Sequence, residues 1–196
     1  MMKLSALILL ILFTSVSSTL AKTDKEQEIR TILENRDSQI KQLLGPEGTD
    51  HTEDQREELR DIINNMIDYR KMAQHALGDK YQELGEEEQN EFVDLFSSII
   101  RDQSLQQLDI YRAEVIYDEI TVEGTDAMVK TTAILGDKRI PVHYRLVDSD
   151  GEWVITDLSI DEAWTAESYR RSFQNIIRRR GYDALIDNLR KRAEQA

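Results

Sequence analysis

After Tyr111 the apolar residues of this chain stop recurring every three or four positions and begin to alternate. Four such runs follow, Ala113 to Val122, Ala127 to Leu135, Arg139 to Val147 and Glu152 to Ile160, parted by Glu123-Gly124, Gly136-Asp137 and Asp148-Ser149-Asp150-Gly151. A period of two is the period of a strand, and polar connectors this short leave no room for a crossover helix. Successive strands are therefore expected to run antiparallel, as a meander.

Helices flank the strands in sequence. Ile29, Ile32, Leu33, Ile40, Leu43 and Leu44 fall at helical intervals between Lys22 and Leu44, and Gly45-Pro46 ends the pattern. Thr52-Glu53-Asp54-Gln55 has the form of a capping box ahead of Leu59, Ile62, Ile63, Met66 and Ile67. Tyr69, Met72, Ala73, Ala76 and Leu77 share one face of a short helix stopped by Gly78. A long helix is expected from Glu86 to Tyr111, with three glutamates at its positive end and a stripe of Phe92, Leu95, Phe96, Ile99, Ile100 and Leu108. Thr165 opens another helix with Tyr169, Phe173, Ile176 and Ile177 on one side; Gly181 breaks it, and Leu185, Ile186 and Leu189 mark a last short one. The order reads as an α+β fold: a four-stranded antiparallel sheet wrapped by N- and C-terminal helices, in one domain of 22–196.

Residues 1–21 stand apart from that domain. Met1-Met2-Lys3 is basic, Leu4 to Phe13 is an apolar run about half the length a spanning helix needs, and Thr19-Leu20-Ala21 supplies small residues for cleavage. A secretory signal peptide is expected, and with it export to a periplasm. The chain has no cysteine, so neither disulfides nor a lipidated cysteine is available. Its formal charge of −13 becomes −14 once Lys3 leaves with the leader, which disfavours nucleic acid and anionic lipid surfaces as partners. From Thr165 onward, however, eight Lys/Arg face four Asp/Glu, including Arg178-Arg179-Arg180 and Arg190-Lys191-Arg192. That basic end is either a solvated helix face or a docking patch for an acidic partner or a lipid phosphate.

Catalytic and metal chemistry find no purchase. His51 lies in a polar loop, His75 on the polar side of its helix and His143 in a strand, and no pair of them has the short spacing of a zinc site. There is no Gly-x-Ser-x-Gly elbow and no thiol. Carboxylate pairs such as Asp161-Glu162 sit at loops and helix starts, where solvation explains them. What stands out is aromatic and methionine content on helix faces: Met66, Tyr69, Met72, Tyr81, Phe92, Phe96, Tyr111, Tyr169 and Phe173. Such stripes are either a filled core or the wall of an apolar cavity between sheet and helices.

Two blocks carry a resemblance. "MIDYRKMAQHALGDKYQELGEEEQNEFVDLFSSIIRDQ" has the series Asp68-Tyr69, Met72-Ala73, Leu77-Gly78, Tyr81, Gln89, Phe92 and Phe96, and the later block has Tyr144-Arg145-Leu146, Trp153, Ile155, Asp157, Tyr169-Arg170, Phe173, Gly181 and Leu185. In order and spacing, over roughly 28–192, they resemble the MlaC, or toluene-tolerance, family of periplasmic phospholipid-binding proteins. The departures are Gln74 for a common arginine, Tyr81 for a common tryptophan, and Asp161-Glu162-Ala163-Trp164 where the family tends to Glu-Gly-x-Ser.

The resemblance implies a monomeric carrier, not an enzyme, without metal, cofactor or stable membrane insertion. It would take phospholipid between an outer-membrane lipoprotein–porin complex and an inner-membrane MCE ring on an ABC transporter, so maintaining outer-membrane lipid asymmetry. A sixteen-carbon chain exposed to water costs on the order of 10 kcal/mol, at about 0.8 kcal/mol per methylene, so a carrier must enclose it. The expected lining is Met66, Tyr69, Met72, Leu77, Phe92, Phe96, Ile99, Val142, Tyr144, Leu158, Tyr169 and Phe173, with Arg170, Arg178, Arg179 and Arg180 meeting a headgroup or a partner. Another apolar lipid such as a hopanoid, or a ligand-free interaction module with a solid core, are the alternatives.

Overall fold

The computed structural model describes residues 15–106 and 108–195; the leader expected at 1–21 therefore lies largely outside the described residues. Helix α1 (Ser15–Leu44) is a long strap. Its Ile29 and Leu33 are buried against the sheet, and further on Ile40 and Leu44 are buried against Leu59 and Ile63 of α2 (Glu53–Asn64). The capping box at α2 forms as expected: Thr52 accepts from the Gln55 amide, and the Gln55 side chain accepts from the Thr52 amide at 3.0 Å.

Next come α3 (Tyr69–Leu77), a 3-10 turn (Gly78–Glu83) and α4 (Glu86–Gln106). The long helix stops at Gln106 rather than at Tyr111; Leu108–Arg112 is a separate 3-10 turn, which lets Leu108 and Tyr111 turn back onto the α1–α2 cluster. After the strands, α5 (Thr165–Arg180) and α6 (Tyr182–Ala193) return to α3 and α4. Together these four helices bury one cluster whose centre is aromatic. Phe92 and Phe96 stack at 6.0 Å, Phe173 meets both edge-on, and Tyr169 meets Phe96 at 5.2 Å. Such contacts add to a burial term that is itself worth several kcal/mol for each ring.

The sheet is a meander in the order β1 (Glu114–Glu123), β2 (Asp126–Leu135), β3 (Lys138–Ser149), β4 (Glu152–Ile160) and β5 (Ala163–Trp164), every pair antiparallel. Five strands thus replace the four expected. Asp161 and Glu162, at φ of 51° and 62°, make a two-residue turn that folds Ala163–Trp164 back on Ser159–Ile160. Two residues are too few to carry a period, so nothing in the hydropathy marks them. The sheet and the helices are tied at Met66–Asp68: Ile155 donates to the Met66 carbonyl at 2.7 Å and Asp68 to the Ile155 carbonyl at 2.8 Å.

Candidate functional site: the inner face of the sheet

A bulge in β4 decides what the sheet offers. Leu146 pairs with Ile155 and Arg145 with Asp157, so Thr156 is an extra residue with no partner of its own. Before it, Trp153 and Ile155 face α1; after it, the parity reverses, and Leu158 and Ile160 take the side of Tyr144 and Val142. One face therefore stays apolar along its length. The opposite face receives Asp157 and Ser159, both buried beside the helices.

The inner face has two unequal halves. Toward its start Val122, Ala127, Val129, Leu146 and Trp153 are covered by Ile29 and Leu33 of α1 and by Met66. Toward its far end Ala133 and Val142 are buried with Ala113, while Ile110, Leu135, Ile140 and Tyr144 are only half-buried around them. Leu158 and Ile160 are also half-buried and belong to no core cluster.

Four tyrosines surround this half: Tyr69 on α3, Tyr111 in the 3-10 turn, Tyr117 on β1 and Tyr144 on β3. Tyr69 donates its hydroxyl to the Asn64 side-chain oxygen and lies under the Arg101 guanidinium at 4.8 Å. Desolvation raises its phenol to about 12, against the opposing pull of Arg101. Desolvation likewise raises Tyr111, with Tyr144 and Tyr69 as neighbours, and Tyr144, with Tyr117 and Asp37 nearby. Tyr117 is raised by desolvation and by Asp37 and Glu34, while Arg30 lies over its ring at 4.8 Å. Tyr111 and Tyr144 are thus surrounded by protein densely enough to destabilise a phenolate, yet each keeps accessible surface.

The expected lining does not form one ring. Tyr69, Met72, Leu77, Phe92, Phe96, Ile99, Tyr169 and Phe173 belong to the helical cluster, where Met72, Phe92 and Phe96 are 0 % exposed and touch one another rather than an open space. Met66 belongs to the α1–sheet cluster. Val142 and Tyr144 fall on the inner face, in the expected parity, with Leu158 paired opposite Tyr144. Tyr111 counted only as one more aromatic and Tyr117 as a strand residue; their marker is adjacency to Tyr144 across the fold, which no local spacing encodes.

On the outer face Asp157 is 2 % exposed. One of its oxygens accepts from the Leu158 amide at 2.9 Å and the Ala166 amide at 3.0 Å, so this strand carboxylate caps the start of α5. Arg145 approaches the other oxygen at 3.6 Å and covers Trp164 at 4.0 Å. Burial nonetheless raises the Asp157 carboxyl above the usual range, the amides, Arg145 and His75 opposing it. His75 itself is exposed, 3.8 Å from Glu167, and His51 bonds the Leu44 carbonyl at 2.9 Å. Arg178, Arg179 and Arg180 are exposed at the end of α5, whereas Arg190 is tied to Glu91 and Asp187. Among the described residues no three His, Cys, Asp or Glu are grouped to hold a metal, and no helix is long and apolar enough to cross a membrane.

A model of the MlaC protein family matches residues 34–191. The fold is similar to that of the phospholipid-binding protein from Ralstonia solanacearum, solved in complex with a phospholipid: TM-score 0.70 at 21 % identity, over 87 % of this chain and 97 % of that one. No curated protein matches the chain.

Proposed function

This chain belongs to the MlaC family, and from that premise we propose that it is a phospholipid carrier whose acyl chains lie against the far half of the sheet's inner face. The observation that carries the reading is the half-buried state of this end of the face, where Tyr111 and Tyr144 pack against the core and still keep accessible surface. Val142, Ile140, Leu158 and Ile160 supply apolar wall beside them. Binding without bond cleavage needs only such a wall, with the headgroup left toward water. The related fold of the Ralstonia protein, which was solved with a phospholipid, supports the same choice.

In this reading the leader at 1–21 sends the chain to the periplasm. There it passes lipid between an outer-membrane lipoprotein–porin complex and an inner-membrane MCE protein with its ABC transporter. Arg178, Arg179 and Arg180, exposed in a chain of charge −13, are the natural contact for an acidic surface on either. The filled aromatic cluster is the one observation favouring a ligand-free module instead.

Lipid extracted from the purified protein and identified by mass spectrometry separates the readings. Phospholipid near one molecule per chain is expected; a hopanoid would change the ligand class, and no lipid would leave the interaction module. Leu158→Trp, which adds volume at the half-buried wall, should reduce the recovered lipid severalfold in a protein that still folds.

A further inference from the structure

A cleft of about 590 Å³ lies at the far end of the helical layer, between the Gly78–Glu83 turn and the α5–α6 corner, walled by Lys80, Arg170, Gln174, Ile177, Arg178 and Tyr182. It is a built feature. The Gln174 side chain donates to the Leu77 carbonyl at 2.9 Å, closing the end of α3. The Arg170 guanidinium lies flat on Gly78, where an added Cβ would stand 3.2 Å from Nε. Gly78 also has φ of 67°, so both its backbone and its missing side chain make room for that arginine.

Arg170 is half-buried and makes no hydrogen bond or ion pair among the described residues. Its neighbour Lys80 is already spent on Glu83 at 3.0 Å and lies over the Tyr182 ring at 5.7 Å, and the Tyr182 hydroxyl is buried without a partner. Asp79 is the remaining carboxylate on the rim. The cleft thus has two guanidinium groups whose donors are unused, in a chain otherwise dominated by carboxylates.

We propose that this cleft receives an acidic peptide segment of a partner protein. Arg170, Gln174 and Arg178 recur every four residues on one side of α5, a rise of about 12 Å along the helix from the first to the last. Carboxylates four residues apart on an extended segment lie about 13 Å apart, so such a segment can follow that rise and meet both arginines at once. The cleft shares no lining residue with the sheet's inner face and offers little apolar wall beyond Ile177 and the Tyr182 ring, so a lipid headgroup bound here would have no place for its chains. The geometry stands independently of the lipid reading, while giving the docking partner of that reading a chemistry.

The test is titration of the full-length protein with fluorescein-labelled octaglutamate, octaglutamine serving as control, followed by anisotropy and by nitrogen–proton NMR. Binding with shifts at the Arg170 Nε–H, the Gln174 side-chain amide and the Gly181 amide is expected. Arg170→Glu with Arg178→Glu should weaken it at least about tenfold, and Lys191→Glu, a charge change on the exposed side of α6, by less than about twofold. Equal loss from Lys191→Glu would reduce the effect to long-range charge. Displacement of the peptide by inorganic phosphate at lower concentration would make this a small-anion site, and loss of co-purified lipid in the arginine variants would make it a headgroup site; each overturns the proposal. Octaglutamate binding that persists in protein yielding no lipid would sink the carrier reading and leave this one standing.

Discussion

Single residues show how much local conformation is held against its own preference. Glu162 sits at φ of 62°, a region that costs an ordinary L-residue roughly 1–2 kcal/mol, because the turn into β5 requires it. Glu162→Gly should therefore raise unfolding stability by about 1 kcal/mol in urea; an unchanged midpoint would mean the strain is relieved elsewhere. Asp157 is a second such residue. Its carboxyl is raised by burial, so its contribution is fully present below the unfolded value and is lost as pH rises through the folded one. Asp157→Asn keeps an oxygen for the Leu158 and Ala166 amides without the buried charge. The variant should match the parent near pH 4 and gain on it toward neutrality in urea melts; a difference flat in pH would disprove the assignment. Asp157→Ala, which orphans those amides, should cost about 1–3 kcal/mol.

At the scale of elements, the β4 bulge does more than any side chain, because it holds Leu158 and Ile160 on the apolar face. Deleting Thr156 would close the bulge into regular alternation with Ile155, Leu158 and Ile160 still on the apolar face, so a cooperative melt is expected to survive; its loss would show that the bulge itself is needed at this bend. Phe96 presents the contrasting case. With no exposed surface and three ring partners, Phe96→Ala should cost about 3–5 kcal/mol without selectively affecting lipid.

The helices and four main strands were legible because each is long enough to show its period, and the Thr52 box and the Gly78 stop because their chemistry is local. Face alternation also placed Val142 and Tyr144 correctly on β3. What was not legible is which apolar face meets which. The stripes of α3, α4 and α5 close on one another instead of on the sheet, since three amphipathic helices can satisfy their stripes mutually. The cleft at Arg170 escaped for a similar reason: its walls come from 79–83 and 170–182, brought together only by the packing of α3 on α5.

For the whole molecule, charge and the position of the basic end set how it meets other bodies. With −13 overall and a net positive stretch from Thr165 onward, the protein should be repelled by anionic bilayers while one end remains attractive to acidic surfaces. Flotation with phosphatidylglycerol vesicles at low salt should leave it in the unbound fraction, and substantial co-flotation would count against transfer through protein contacts.

The helical layer has a further consequence, for the order in which the chain can fold. α3 and α4 precede the sheet and α5 and α6 follow it, yet all four share one buried cluster. During synthesis the strands can pair with neighbours as they appear, since each lies next to the one before it. Phe92 and Phe96 have to wait for Phe173 and Leu185, in about the last eighth of the chain. Until then the nascent protein lacks its main lock, and its final thirty residues act as the latch.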